Sequence, residues 1–472
     1  MDGLESCEVK KSDLERTLRF DSEFFRKEVI LAERFLRSKP HQSLTKTVTI
    51  SDGNHAGISD KFTTSGVPYY RGQDAGTFFI ENSTPICIDQ DTYNAPVMRR
   101  SHLKKNDVLL SIVGTIGSLS LVHSNRDATC SCKLAILRPK ESCNEAVLAV
   151  FLQGKYGQIQ ISRFIRGAVQ KGLILEDMDQ LIVPVFKENL NQEISMLVQK
   201  AHEKLELANA VMEQATKTLS NLYNLESFSV ERSSFSVKKY TESFKSTGRL
   251  DAEYYQPKFD ALFTALSKYK TKKLGGADGI VTIMKSVEPG SDVYVDEGIP
   301  FIRVSDVSKY EISEPEIYLD YNSISLPEKL YPKKDTILFS KDGSVGIAYK
   351  VDFNMKAITS SALLHLIVRN TSEVLPDYLT LVLNSPIVQL QAERDSSGAI
   401  IQHWKPSEIK NVIIPVLDME IQRNIAAKVQ KSFALRRKSK QLLEYAKQAV
   451  EMAIEQGEDV ALEWIKSKEG EM

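Results

Sequence analysis

The chain repeats itself, and this repetition limits its possible folds more than any other feature. Short motifs of the first half return in the second half in the same order and at an almost constant spacing. An ordered series of this kind indicates a duplicated unit. The matched pairs are RFDSEFF (19–25) with RLDAEYY (249–255), shifted by 230; GVPYYR (66–71) with GIPFIR (298–303), shifted by 232; KKNDVLLSIVGTIG (104–117) with KKDTILFSKDGSVG (333–346), shifted by 229; and LIVP (181–184) with VIIP (412–415), shifted by 231.

Length and composition indicate a globular protein of several domains. The 472 residues exceed what one hydrophobic core supports, and 42% apolar and 26% charged residues are close to average usage. No apolar run approaches the roughly 18 residues that span a bilayer, and the charged N-terminal stretch does not resemble a signal peptide. We therefore expect a cytoplasmic protein with no membrane partner. The net charge of −1 leaves nucleic acid open as a partner, because affinity for phosphates depends on where the cations lie.

The cysteines predict neither a disulfide framework nor a metal site. They are odd in number, no two are spaced as CxxC, and no histidine stands at ligand spacing. Cys130 and Cys132 alternate in ATCSCKLAIL, which we interpret as one strand, so we expect both to be small buried residues. The five cysteines are Cys7, Cys87, Cys130, Cys132 and Cys143.

Each repeat shows the same order of predicted elements. It opens with an amphipathic stretch, continues with short β-like runs bounded by Gly, Pro, Asn and Asp, and ends in a Val/Ile strand, a proline and a long helix. Strands mixed irregularly with helices favour an α+β fold over a doubly wound sheet. The predicted organisation is a first mixed domain (1–186), a first spacer helix (187–225), a Ser/Lys/Glu-rich linker (226–249), a second mixed domain (250–415) and a second spacer helix (416–472).

The two closing helices each carry an apolar stripe. In the first helix, small or apolar residues follow Ile194 at alternating steps of four and three, which is a heptad seam that needs a partner helix to bury it. We expect the two helices to pair with each other as an antiparallel coiled coil, although each could instead pack on its own domain. The residues expected at the pairing surface are Ile194, Val198, Leu205, Met212, Leu219, Ile425, Val429, Leu443 and Val450.

The second stripe is interrupted by polar residues. At a shift of 231, the positions equivalent to Ala201, Leu205 and Ala208 hold Ser432, Arg436 and Ser439. A polar residue in a seam can set the register of the pair or face a different partner.

The sequence shows no catalytic constellation. It has no GxxxxGK[ST] phosphate loop, no HExxH pair and no GxSxG elbow. The GxxG segments at 114–117 and 343–346 each follow a β-like run, so we expect tight turns rather than phosphate cradles. A metal-dependent nuclease could use Asp377, Glu408 and Lys410, but the first repeat lacks a matching lysine. We expect a non-catalytic protein that holds no metal or cofactor of its own.

Cations cluster near predicted loops at matching places in the two repeats, which favours DNA binding. A duplicated module suits a ligand with two sites at fixed separation, and duplex DNA is the commonest such ligand. Arg and Lys neutralise phosphates or bind guanine, and Gln can bracket adenine. The candidate contacts are Arg71, Gln73, Arg99, Arg100, Lys104, Lys105, Arg163, Arg166 and Lys171 in the first repeat, and Arg303, Lys333, Lys334, Arg394, Gln402, His403 and Lys405 in the second.

Four stretches of the second repeat, RLDAEYYQP, GIPFIRVSD, KKDTILFSKDGSVG and IIPVLDMEIQRNIAAKV, form a recognisable series. The first repeat carries weaker versions: RFDSEFFRKE, GVPYYRGQD, KKNDVLLSIVGTIG and IVPVFKENLNQEISMLV. Together with the duplication, these motifs resemble the specificity subunits of type I restriction-modification systems, or of a closely related methylation-based defence system. The resemblance covers nearly the whole chain.

The resemblance implies that each mixed domain is a target-recognition domain that reads one half of a bipartite, asymmetric sequence in double-stranded DNA. The paired helices would set the gap between the halves. Similar subunits bind two copies of an adenine-N6 methyltransferase that uses S-adenosylmethionine, and often restriction or motor subunits as well. Residues 51–61 have only a loose equivalent at 281–294, which implies that the two domains read different sequences.

Two other functions stay open. One is the metal-dependent nuclease described above, and the other is a coiled-coil adaptor that joins proteins without binding nucleic acid.

Overall fold

The computed structural model describes residues 8–12, 14, 19–167, 169–223, 236–325, 327–398, 401–468 and 470. Its helices are α1 (Lys27–Arg37), α2 (Leu44–Thr47), α3 (Gln90–Asn94), α4 (Glu145–Gln153), α5 (Lys155–Arg163), α6 (Glu188–Tyr223), α7 (Phe244–Thr247), α8 (Pro257–Leu266), α9 (Pro376–Leu383), α10 (Pro386–Asp395), α11 (Pro406–Ile409), α12 (Met419–Gln456) and α13 (Glu458–Ser467). Its strands are β1 (His41–Ser43), β2 (Val48–Asp52), β3 (Phe62–Thr63), β4 (Val67–Tyr70), β5 (Ile86–Ile88), β6 (Val108–Ser111), β7 (Leu119–Leu121), β8 (Thr129–Cys130), β9 (Leu134–Pro139), β10 (Ile182–Pro184), β11 (Thr271–Lys273), β12 (Val281–Lys285), β13 (Tyr294–Val295), β14 (Ile299–Ile302), β15 (Tyr318–Leu319), β16 (Ile337–Ser340), β17 (Ala348–Lys350), β18 (Ile358–Thr359), β19 (Leu363–Val368) and β20 (Ile413–Pro415).

The chain divides into two compact units. Unit 1 holds Met1–Leu205 and Arg437–Met472, and unit 2 holds Glu206–Arg436. Both boundaries fall inside the long helices α6 and α12, so each unit contains one part of each helix. Residues 224–225 of the predicted first spacer helix and residues 226–235 of the predicted linker lie outside the described residues.

Unit 1 is built on two four-stranded sheets. The first has the order β2-β9-β6-β7 and is antiparallel throughout, while the second has the order β3-β5-β4-β8 and is parallel only between β4 and β8. Strands β1 and β10 form a separate antiparallel pair. Alternation along β6 places Val108 and Leu110 in the main core and Leu109 in a smaller cluster on the other face, which explains why the whole strand is buried.

Unit 2 repeats this topology strand for strand. Its sheets have the orders β12-β19-β16-β17 and β13-β15-β14-β18, the single parallel pair is β14 with β18, and β11 pairs with β20. The duplication in the sequence is therefore a duplication of fold, and the predicted α+β class is confirmed. Both four-stranded orders match those of unit 1 when the strands are taken in chain order.

One predicted strand is wrong. The stretch ATCSCKLAIL is not continuous, because β8 ends at Cys130, a turn follows, and β9 begins at Leu134. The backbone N–H of Ser131 donates to the Tyr70 carbonyl, and the N–H of Leu134 donates back to the Ser131 carbonyl. The chain thus passes from the second sheet to the first within three residues. Cys130 is buried as expected, but Cys132 lies in the turn and is only partly covered.

The two GxxG segments form tight turns, as predicted. Each joins the antiparallel strands of a hairpin, β6 with β7 and β16 with β17, and all four glycines have positive φ. Gln158 and its counterpart Gln389 each donate a side-chain hydrogen bond to the carbonyl of the last glycine, at 3.0 and 2.7 Å. The turns are therefore closed by a side chain from the following helix.

The long helices contribute to the main core of each unit. In unit 1, one hydrophobic cluster contains Ile194 and Val198 of α6 together with Val450 of α12, and Leu205 and Leu443 pack against it partly buried. In unit 2, a second cluster likewise combines residues of both helices with the core of that unit. Its members from α6 and α12 include Met212, Leu219, Ile425 and Val429.

The two serines of the second stripe bind backbone carbonyls. In unit 1 the Ser439 hydroxyl donates to the Ala201 carbonyl at 2.7 Å, and in unit 2 the Ser432 hydroxyl donates to the Ala208 carbonyl at the same distance. Both serines are buried. The serine hydroxyl is one bond from Cβ, so it reaches a facing carbonyl only when the two backbones lie close. These serines therefore stand where the two helices approach, at the positions that hold alanine in the first helix.

Arg436, the third polar residue of that stripe, has a different environment. Its guanidinium carbon lies 3.8 Å from the centre of the Tyr310 ring, and its Nη2 donates to the Asn209 side chain at 2.5 Å. Both contacts lie within unit 2. A cation–π contact explains how a charged side chain is accommodated where the first helix has Leu205.

The smaller cluster beside the central strand differs between the units. Unit 1 has the buried apolar pair Cys130 and Ile136, whereas the equivalent strand positions in unit 2 hold Thr359 and His365, whose side chains are 2.8 Å apart. Burial of His365 lowers the pKa of its imidazole to about 4, from a usual value of 6.5. The folded protein therefore holds this histidine neutral.

We predict that unit 2 loses stability as the pH falls from 6.5 towards 4. In that range the unfolded chain binds a proton at His365 and the folded chain does not, so stability is complete above pH 6.5 and decreases below it by up to about 3 kcal/mol. The double variant His365→Ile/Thr359→Cys, which copies unit 1, should flatten this dependence. Urea unfolding followed by Trp404 fluorescence in a Trp464→Phe background measures it. Parallel stability curves for parent and double variant would contradict the assignment, and exposed His41→Gln is the control.

Candidate nucleic-acid interface

Each unit holds one arginine in place at the start of a short 3-10 turn. Arg71 follows β4 and Arg303 follows β14, and in each case the aspartate three residues later accepts a hydrogen bond from the arginine N–H, at 2.7 and 2.8 Å. The carboxylates of Asp74 and Asp306 also lie 3.6 and 3.4 Å from the guanidinium groups. The aspartates are buried, while the arginine side chains are 34% and 36% exposed. Each guanidinium therefore has a fixed inner side, and the guanidinium of Arg303 also lies 3.3 Å from the exposed carboxylate of Glu316.

Three loops of unit 1 lie against one another beyond the end of β6. The Thr115 hydroxyl donates to the Gly72 carbonyl at 3.0 Å, and a Cβ on Gly72 would lie 3.1 Å from the Val113 carbonyl oxygen. Val113 in turn forms an antiparallel bridge with Gly172. The Arg71 turn, the GxxG turn and the loop after α5 thus form one continuous surface. We call residues 71–74, 113–117, 166–167 and 169–172 the loop face of unit 1.

Unit 2 has a corresponding loop face, residues 342–346, 397–398 and 401–403. Asp342 forms an antiparallel bridge with His403, and the Gly343 N–H donates to the Gln402 carbonyl at 2.9 Å. Arg303 occupies the place in the chain that Arg71 has in unit 1. Two of the three segments of the unit 1 face, the GxxG turn and the loop after the helix, therefore have the same arrangement in unit 2.

A glycine shapes the hairpin of each loop face. Gly167 and Gly398 have φ of +111° and +119°, and a side chain at either position would lie 2.1 or 2.0 Å from a carbonyl oxygen of the same hairpin. Only glycine fits such a position. The ends of each hairpin are joined by two backbone hydrogen bonds, between Arg166 and Gly172 and between Ser397 and His403.

The loop face of unit 1 presents cations to solvent. Arg71 is partly exposed, Gln73 and Lys171 are exposed, and Arg166 is 40% exposed although it is paired with Asp177. Lys133, which was not predicted from the sequence, is exposed as well, and its Cβ lies 3.8 Å from the position of a Cβ on Gly72. The sequence signal for its exposure was its position as the single charged residue in the otherwise buried run ATCSCKLAIL. A charge within such a run indicates a turn rather than a strand.

The loop face of unit 2 is less basic. Gln402 and Lys405 are exposed, and His403 is exposed with its Nδ1 2.8 Å from Asp342. The position equivalent to Lys133 is Ala362, since the carbonyl of each accepts the N–H of the residue that follows the central strand. The two loop faces therefore share their backbone form but differ in their side chains.

The lysine pairs lie elsewhere. Lys104 and Lys105 precede β6, and Lys333 and Lys334 precede β16, so each pair is at the opposite end of the central strand from the GxxG turn. All four are exposed. Each lysine pair is followed directly by a turn residue with positive φ, Asn106 at 75° and Asp335 at 67°. The structure therefore does not bring the lysine pairs together with the loop faces.

The neighbouring arginines of unit 1 differ from each other. Arg99 is exposed, whereas Arg100 forms an ion pair with Asp52 at the end of β2 and keeps 58% of its side chain exposed. Both remain accessible to a ligand.

Two candidate arginines point into the fold instead of towards solvent. Arg163 is 6% exposed, pairs with Glu33, donates to the Phe24 carbonyl at 3.1 Å and lies 4.1 Å above the Phe24 ring. Burial alone would raise the pKa of Glu33, but the charges of Arg163 and Arg37 outweigh it and lower that pKa. Arg163 therefore holds the opening helix of unit 1 to α5.

Arg394 repeats this arrangement in unit 2. Its guanidinium carbon lies 4.4 Å from the Phe263 ring centre and 5.1 Å from that of Tyr254, and it pairs with Asp395 at 2.7 Å. Arg163 is the last residue of α5, and Arg394 is the last but one of α10. At the end of a helix, sequence alone does not distinguish an inward from an outward side chain. In the sequence Arg163 clusters with Arg166 and Lys171, and Arg394 clusters with Gln402, His403 and Lys405. Neither clustering therefore reflected a shared surface.

The carboxylates of the nuclease alternative have structural contacts. Asp377 is buried, lies 3.3 Å from Lys350 and accepts a hydrogen bond from Gln430 at 2.7 Å. Glu408 caps α11 by accepting the Lys405 N–H at 3.2 Å. Within the described ranges, no group of three or more His, Cys, Asp or Glu side chains could hold a metal ion.

The chain thus contains two α+β units that share one topology. The loop faces of the two units carry different charges. Residues 266–445 match the family model described as "Type I restriction modification DNA specificity domain". The resemblance inferred from the sequence is therefore confirmed by the match over this part of the chain. Unit 1 shares the topology of the second repeat.

Comparison with solved structures finds similar specificity subunits. The S subunit of the type I restriction-modification system of M. genitalium is 15% identical, with 88% of this chain and 95% of that chain covered and a TM-score of 0.39. The HsdS subunit of Thermoanaerobacter tengcongensis is also 15% identical, with coverages of 88% and 96% and a TM-score of 0.29. The curated proteins include no match to this chain. Every helix in the described part of the chain is too short or too polar to cross a membrane.

We predict that Arg163→Gln destabilises unit 1 by about 3 kcal/mol, because it leaves the Glu33 carboxylate and the Phe24 carbonyl without their buried partner. Urea denaturation followed by Trp464 fluorescence in a Trp404→Phe background measures the change. Lys171→Gln, which removes an exposed cation of the same segment, is the matched control and should change stability by less than about 0.5 kcal/mol. Equal stability of the two variants would show that the inward contacts of Arg163 contribute nothing.

Proposed function

We propose that this chain is the DNA sequence-specificity subunit of a methyltransferase complex and has no catalytic centre of its own. It would recognise a bipartite, asymmetric target in duplex DNA and direct adenine-N6 methyltransferase subunits to it, in two copies, together with restriction or motor subunits where these are present. S-adenosylmethionine would be bound by the methyltransferase. The observation that carries the proposal is that a DNA specificity domain occurs in a chain whose two units share one topology.

Differences between the loop faces support an asymmetric target. Side chains that occupy equivalent places have different hydrogen-bonding groups, and base edges are distinguished by such groups. Lys171 corresponds to Gln402 and Lys133 to Ala362. A lysine favours the acceptors of guanine, whereas a glutamine can bracket adenine. Two units with these differences would read two different half-sites.

The proposed contacts are a subset of the candidate contacts named from the sequence, with Lys133 added. Arg71, Gln73, Lys133, Arg166 and Lys171 form the set for unit 1, and Arg303, Gln402, His403 and Lys405 the set for unit 2. Arg99, Arg100 and the two lysine pairs are accessible and would serve as additional phosphate contacts. Arg163 and Arg394 are left out, because their guanidinium groups are already bound within the fold.

The long helices would act as an antiparallel spacer that sets the gap of the target. This part of the proposal is supported by the contacts of α6 with α12 inside each unit, where Ala201 meets Ser439 and Ala208 meets Ser432. The residue numbers rise along one helix as they fall along the other, as an antiparallel pair requires. Close backbone contact of this kind resists sliding of one helix along the other.

We predict that Lys133→Gln/Lys171→Gln weakens duplex binding by the purified complex and reduces its dependence on salt. A lysine that lies in the groove of the duplex displaces counterions from nearby phosphates as well as contacting a base. Loss of each lysine should therefore lower the slope of log affinity against log salt concentration by up to about 0.9, and the double variant should lower it by up to about 2. Fluorescence anisotropy with a labelled duplex at several salt concentrations measures the slope. Lys46→Gln/Lys187→Gln removes two exposed lysines outside the loop face and should leave it unchanged.

Two outcomes of this experiment would count against the proposal. A parent complex whose binding shows no salt dependence would favour the protein adaptor. Cleavage of the duplex by the isolated chain with magnesium would favour the nuclease.

We predict that a change of one base pair in the gap of the target lowers methylation about tenfold or more, because it shifts and rotates one half-site relative to the other. The target is first found by mapping methylated adenines in the host with and without this gene. Duplexes with the gap lengthened or shortened are then compared, with base substitutions inside a gap of constant length as the control. Equal methylation at all gap lengths would refute the spacer.

A further inference from the structure

The opening motif of each repeat presents a large apolar side chain to solvent. Phe20 is 80% exposed and Leu250, its counterpart, is 78% exposed. Single exposed apolar residues are common on protein surfaces and usually need no explanation. Here, however, the exposure occurs at the same position of both units, although the residue itself has changed from Phe to Leu.

The backbone that carries these residues is held by the preceding arginine. Arg19 makes two hydrogen bonds of 2.7 Å to Asp21, lies 4.6 Å from the Phe24 ring centre and donates to the Arg163 carbonyl at 3.4 Å. These contacts fix the backbone on both sides of Phe20, whose side chain lies in solvent.

Unit 2 reproduces each of these contacts. Arg249 bonds Asp251 at 2.9 and 2.5 Å, lies 4.5 Å from the Tyr254 ring centre and donates to the Asp395 carbonyl at 3.3 Å. The same arginine–aspartate arrangement thus carries an exposed apolar side chain in both units, Phe20 in unit 1 and Leu250 in unit 2. By contrast, Phe353 is 64% exposed but corresponds to Ser124 in unit 1, so that exposure is not shared.

The charges around the two apolar residues do not suit DNA. Asp21 and Glu23 follow Phe20, and Asp251 and Glu253 follow Leu250. Hydrogen bonds from Arg19 and Arg249 are the largest cause that lowers the pKa of Asp21 and Asp251, so both are ionised at neutral pH. The arginine charges are occupied by these pairs, and the exposed carboxylates would repel phosphates.

We propose that Phe20 and Leu250 are twin docking residues, each inserted into an apolar pocket with a basic rim on a protein bound once per unit. The proposal rests on the proposed function, under which the protein present in two copies is the adenine methyltransferase subunit. A contact common to two different units fits two copies of one partner, whereas two different half-sites of DNA would require different contacts.

The first experiment places a photo-crosslinking amino acid at residue 20 or residue 250 of the full chain in its host. We expect the same methyltransferase subunit to be crosslinked from both positions and not from residue 353, the control. Crosslinks to DNA, to a second copy of this chain or to different proteins at the two positions would overturn the proposal. The absence of crosslinks from residues 20 and 250 in a complex that does contain the methyltransferase would also overturn it.

The second experiment counts methyltransferase copies in the purified complex by native mass spectrometry. Phe20→Ser or Leu250→Ser should reduce the number from two to one, and the double variant should bind none. The exchanges Phe20→Leu and Leu250→Phe, which use the residue of the other unit, should keep two. Two copies bound by the double serine variant would refute the docking.

DNA binding by each serine variant without the methyltransferase separates this proposal from the proposed function. We expect unchanged affinity and salt dependence, because the two residues are placed outside the DNA contacts. A complex that contains no methyltransferase at all would contradict the proposed function itself, whereas a two-copy complex that ignores the serine substitutions contradicts the docking alone.

Discussion

Close packing of the two long helices is the interaction on which the rest of this structure depends. Each unit completes its main core with residues of both α6 and α12, and the sheets pack on the surface that these helices provide. The approach is close because alanine and serine occupy the crossing points, where Ser439 and Ser432 bond directly to facing carbonyls. A larger side chain at either serine would have to displace a backbone, since interiors of this density leave no spare volume.

Much of this fold could be predicted because the chain contains two versions of one unit. Features that occur twice, such as the GxxG turns and the α+β order of the elements, were interpreted correctly, since chance resemblance does not preserve order and spacing together. The break between β8 and β9 was missed, although Lys133 marks its place in the sequence. Alternating apolar residues continue through Cys130, Cys132 and Leu134, and only the pairing of Ser131 with Tyr70 reveals that the chain changes sheets there.

The candidate site was less predictable for a physical reason. Sequence identifies residue types, but the direction of a side chain at a helix end depends on what packs around it. Arg163 and Arg166 are three residues apart, yet one lies on the Phe24 ring inside the fold and the other reaches solvent at the hairpin. Lys133 is the opposite case, since it belongs to no cluster in the sequence but stands beside Gly72 in space.

The division of the core has a consequence for how the protein is made. Unit 1 takes core residues from 24–201 and again from 442–465. During synthesis at about 5–20 residues per second, the second set follows the first after roughly 10–50 s. For that interval the apolar stripe of α6 must be shielded by the ribosome-bound chain itself or by a chaperone. The domain translated first is therefore the last to mature, and it does so only when the final helices emerge.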